Sequence, residues 1–75
     1  MNIDDYITVD PNVCHGKSCF RATRIMVHLV LDLMENGIPI EEIIGPDYYP
    51  ELTENHVRAA LHYASQLLKS KGYAA

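Results

Sequence analysis

Apolar and polar residues change their spacing along this chain at one clear point. Before it, Ile7-Thr8-Val9 alternates, the period-two signature of a strand with one buried face. Asp10-Pro11-Asn12 follows as turn chemistry, since Pro presets φ and Asn bonds its own backbone. Gly16 offers a second turn before Ser18-Cys19-Phe20, a return strand. Residues 1–25 thus read as an extended β arm closed into a short hairpin. From Met26 the period lengthens. Met26, Val27, Leu29, Val30, Leu31, Leu33 and Met34 are apolar, while His28, Asp32, Glu35 and Asn36 are not. On a helical wheel the apolar set covers an arc of roughly 200°, about twice the stripe of an ordinary surface helix. Gly37 closes this helix as a left-handed cap. A helix apolar over half its circumference needs two packing surfaces. The sequence therefore places Met26, Val27, Val30, Leu31 and Met34 at a homodimer interface, with cover by the N-terminal arm as the alternative.

A second helix of about two turns starts at Pro39, where Pro suits a first turn and Glu41 and Glu42 complement the macrodipole. Gly45-Pro46 stops it. Thr53 is a suitable N-cap for a third helix, whose apolar face would carry Val57, Ala60, Leu61, Ala64, Leu67 and Leu68. Glu54, Asn55, Arg58, Ala59, His62 and Gln66 would then face outward, and Gly72 would end the ordered chain. The expected fold is mainly α: one domain over residues 1–75, an extended arm over 1–25 and a three-helix core over 26–72. A short helix joined to a longer third one is the plan of a helix-turn-helix module.

Charge refines this picture. Ten acidic and six basic residues leave a formal charge of −4, which excludes a polybasic nucleic-acid arm. The charges come in blocks. Lys17, Arg21 and Arg24 stand in a stretch without acids, followed by the acid-rich stretch from Asp32 to Glu54. Such sorting lets a basic arm face an acidic body or an acidic partner. The longest apolar run, from Ile25 to Leu31, is interrupted by His28, so no segment suits a bilayer. The first residues have neither the basic start nor the apolar stretch of a signal peptide, and the expected location is cytoplasmic. Cys14 and Cys19 would be free thiols there.

Several short motifs occur in a recognisable order: Gly16-Lys17-Ser18-Cys19-Phe20, Ala22-Thr23-Arg24-Ile25-Met26-Val27, Glu41-Glu42-Ile43, Tyr49-Pro50-Glu51-Leu52-Thr53 and Ala60-Leu61-His62-Tyr63-Ala64. From about Tyr6 to Ala64 the chain resembles the bacterial and archaeal family called domain of unknown function 433. In that family Pro follows the lysine of the first motif and Gly precedes the Thr-Arg pair. Ser18 and Ala22 replace them here. The resemblance implies a homeodomain-like helix-turn-helix fold. It also implies kinship with VapB-like antitoxins, whose genes often lie beside those of PIN-like ribonuclease toxins.

Two functional readings follow. As a DNA-binding antitoxin, the chain would set Asn55 and Arg58 of the third helix against base edges, with Lys17, Arg21 and Arg24 of the arm in a groove. As a homodimeric interaction module without DNA, it would offer the arginines of the arm to a partner's carboxylates, such as the metal site of a PIN-like ribonuclease. Cys14, His15 and Cys19 are soft or borderline donors without a paired C-x-x-C spacing, so no metal site is expected. No glycine-rich phosphate loop or catalytic carboxylate pair is present, so neither an enzyme nor a cofactor is expected.

Overall fold

Two short strands form where the alternation lies. β1 (Ile7–Thr8) and β2 (Cys19–Phe20) pair antiparallel, with Ile7 opposite Phe20 and Thr8 opposite Cys19. The computed structural model describes residues 1–70. The helix end expected near Gly72 lies outside them. A 3-10 turn (Ile3–Asp5) precedes β1 and a second (Cys14–Gly16) lies between the strands. Three helices follow: α1 (Val27–Glu35), α2 (Ile40–Ile43) and α3 (Glu54–Ser70). The fold is mainly α with a two-stranded hairpin, as the spacing predicts. None of the described helices is long and apolar enough to cross a membrane.

The connection between α1 and α2 is fixed by cap chemistry. Gly37 has φ +82°, which only a residue without a Cβ adopts freely. Its N–H donates to Met34 at 3.0 Å and that of Ile38 to Leu33 at 3.1 Å, the paired bonds of a Schellman ending. Ile38 then packs half-buried against the core, and Pro39 prevents the first helix from continuing.

The core is a single cluster of Ile7, Phe20, Val27, Val30, Ile43, Leu52, Val57, Ala59 and Ala60. It joins the hairpin to all three helices. This corrects two expectations. Val27 and Val30, assigned to a homodimer interface, are 2% and 0% exposed within the single chain, so neither has surface to give a partner. The hairpin, α2 and α3 supply the second packing surface of α1. Met26, Leu31 and Met34 remain half-buried.

The second correction concerns the facing of α3. Ala59, expected outside, is fully buried, whereas Leu61, Leu67 and Leu68 are 45%, 44% and 56% exposed. The buried residues of α3 (Val57, Ala59 and Ala60) all lie in its first half, and every residue from Ser65 to Ser70 is exposed. The small side chains at 59 and 60 bring the helix close to the body on a wider face than the leucine pattern indicates.

Candidate interaction cleft

The expected basic residues fall into three places rather than one. Arg21 and Arg24 share a cleft of about 370 Å³, lined also by Thr8, Asp10, Val13, Ala22 and Thr23. Lys17 lies on a different, mostly apolar groove of 390 Å³, with Val27, His28, Leu31, Tyr63 and Leu67. Arg58 is on the outer face of α3. Its guanidinium donates to Glu54 Oε1 at 2.7 Å, one helical turn back, so its charge is already matched. Asn55 is exposed beside this pair.

The turn carrying the two arginines is held from several sides. The Thr23 hydroxyl donates to the Phe20 carbonyl at 2.7 Å and accepts from the Ile25 N–H at 3.0 Å. Backbone bonds from Thr23 to Phe20 and from Phe20 to Ile25 close the same loop at 3.1 and 2.9 Å. Arg21 donates through Nε to the Asp4 carbonyl at 2.8 Å, which anchors it to the first turn and leaves its terminal nitrogens unclaimed by that bond. Arg24 is exposed and has no ion pair among the described residues. Two guanidiniums on a rigid turn suit a planar, bidentate acceptor such as a carboxylate.

Closing that turn requires φ +65° at Ala22, a left-handed conformation that a Cβ disfavours by about 1 kcal/mol. The motif resemblance has glycine at this position, and the backbone explains why. Ala22→Gly is expected to raise the unfolding free energy by about 0.5–1 kcal/mol, read as a higher midpoint in urea at unchanged slope. A lower midpoint would mean that the turn is not strained.

The groove beside Lys17 is bridged at one end by Ser18 Oγ and Tyr63 Oη, 2.6 Å apart. This bond ties the hairpin to α3, and it uses the serine that stands where the family pattern has proline, a residue without a hydroxyl. Sequence reading also missed His56. Its ring meets Tyr6 and Phe20 edge-on, with centroids 5.1 and 5.7 Å away. Its Nδ1 accepts from the Thr53 N–H at 3.0 Å and faces the Thr53 hydroxyl at 2.9 Å. The spacing Thr53-x-x-His56 is that of a capping box, with His in place of Glu or Gln, and would have revealed it. Among the described residues, no group of three or more His, Cys, Asp or Glu side chains is placed to hold a metal ion.

A helical domain carrying a basic cleft on its hairpin is the class that this geometry defines. The family model described as "Protein of unknown function (DUF433)" matches residues 7–64, and the chain belongs to that family. Its structure is similar to the crystal structure of a DUF433 member protein from Anabaena variabilis ATCC 29413, with a TM-score of 0.77 and 32% sequence identity. The match covers 91% of this chain and 65% of that protein, so the chain spans less than two thirds of its relative's length. No curated protein matches the chain.

Proposed function

We propose that the protein is an antitoxin-type protein-binding module that offers Arg21 and Arg24 to carboxylates of its partner. The observation that carries this reading is the exposed arginine pair on its pinned turn, contrasted with Arg58, whose charge Glu54 already meets. The partner class is a PIN-like ribonuclease, whose clustered metal-binding carboxylates two guanidiniums would neutralise. Helix order and the exposed Asn55 favour a second reading, a homeodomain-like helix-turn-helix that contacts DNA. The net charge of −4 and the carboxylate at the start of α3 oppose it. A homodimer belongs to the same proposal. It would use the exposed Leu61, Leu67 and Leu68 rather than Val27 and Val30, and a solution mass of one chain would remove it.

The deciding experiment titrates the protein into a PIN-like ribonuclease from the same genome and, separately, into a duplex of its own upstream region. The double change Arg21→Gln and Arg24→Gln is expected to weaken nuclease binding about tenfold, because two exposed charge pairs at up to ~1 kcal/mol each sum to that range. Unchanged affinity in the variant would remove the arginine cleft from the contact. Duplex binding that falls steeply with salt, without nuclease binding, would put the DNA reading first.

A further inference from the structure

A third charge lines the arginine cleft and has no part in the contact described so far. Asp10 is half-buried in the cleft wall, on the loop that leaves β1. Among the described residues it forms no ion pair, although Arg21 and Arg24 line the same space. Its Oδ1 accepts from the Asn12 N–H at 2.8 Å, and its carbonyl accepts from the Val13 N–H at 3.0 Å. These two bonds set the direction of the carboxylate and leave Oδ2 for a ligand.

The loop of Asp10 and the arginine turn are also tied to each other. Cys14 follows Val13, and its Sγ donates to the Arg24 carbonyl at 3.4 Å. Two positive groups and one negative group therefore stand on a common frame around about 370 Å³. That volume is at the lower end of ligand pockets and suits a few side chains of a short segment.

Resting on the reading that this cleft receives a partner's carboxylates, we propose that Asp10 selects the partner segment. It selects one in which a lysine or arginine stands between two acidic side chains. Each guanidinium takes one carboxylate, and Asp10 takes the cation. An all-acidic segment would press a like charge against Asp10 and strip water from it without a return. A segment with a central cation meets all three groups. Asp10 thus turns a general trap for anions, which would favour every added negative charge, into a reader of mixed charge.

The test uses the full chain labelled with nitrogen-15 and two short peptides at millimolar concentration and low salt. They are acetyl-Glu-Lys-Glu-amide and acetyl-Glu-Gln-Glu-amide, which differ only at the central residue. Amide shifts across residues 8–24 report occupancy of the cleft. The wild type is expected to bind the lysine peptide about two- to fivefold more tightly, the range of one exposed charge pair. This preference runs against net charge, because the glutamine peptide is the more negative of the two. In Asp10→Asn, whose amide oxygen keeps the acceptor for Asn12, the preference should vanish or reverse. The double change Arg21→Gln and Arg24→Gln should lose both peptides. Equal or tighter binding of the glutamine peptide by the wild type would overturn the proposal and leave the arginine cleft standing as a carboxylate site. So would a preference that survives in Asp10→Asn. No shift with either peptide would remove the cleft as a carboxylate site, and this proposal with it.

Discussion

Val30→Asp is expected to abolish the fold. Val30 is fully buried in the cluster that holds Phe20, Ile43 and Val57. A carboxylate there must shed its hydration without a partner or take up a proton against its ordinary preference, and either course costs several kcal/mol. At about 0.05–0.15 kcal/mol per residue, a chain of this size has only ~4–11 kcal/mol in all. The helical circular dichroism signal should therefore be lost at room temperature. This outcome also separates two placements of α1. Were Val30 at a subunit interface, the variant would keep its helical signal and only lose mass in light scattering. A folded monomer would return α1 to the interface.

His56→Ala is the next largest change, at about 2–4 kcal/mol. It removes the reciprocal cap on the Thr53 N–H, for which about 1 kcal/mol is typical. It also removes two edge-on aromatic contacts, each about 0.5–1.5 kcal/mol. The same histidine gives stability a pH slope. Burial holds its pKa below the ordinary value of 6.5, and Nδ1 must be unprotonated to accept from Thr53. The unfolded chain therefore takes up this proton first, and stability rises with pH wherever that difference persists. The contribution is complete above the unfolded pKa and is lost as pH falls below about 6.5. Melting temperatures at pH 7.5 and 5.5 should differ more in the wild type than in His56→Gln, which keeps an acceptor at the capping-box position without titrating. Equal differences in the two proteins would show that another group sets the slope.

Where the sequence speaks through local chemistry, it is legible. Gly37 and Pro39 mark helix ends because a left-handed backbone and a missing N–H act within a few residues, and α3 begins directly after Thr53. The hairpin is legible for the same reason, from alternation and turn residues. What was hidden depends on neighbours distant in sequence. Alanine suits either side of a helix, so nothing local shows that Ala59 faces the core. Nor does the leucine pattern show that the core ends before Leu67 and Leu68. The candidate site was legible in part. Arg21 and Arg24 do share a cleft, but Lys17 belongs to another groove, and the i,i+4 pairing of Glu54 with Arg58 changes what α3 presents. Ser18 and Tyr63 are 45 positions apart, and their bond follows only from the packing of the hairpin on α3.

The bracing of the arginine turn has an entropic consequence. Ordering a loose backbone segment on binding costs about 1–2 kcal/mol for each residue fixed, and that cost is subtracted from every contact the segment makes. Between Phe20 and Ile25 the backbone is already closed by Thr23 and by the bond from Phe20 to Ile25. A ligand arriving at this turn has only side-chain rotamers left to freeze. Even a few contacts made there translate into affinity with little loss.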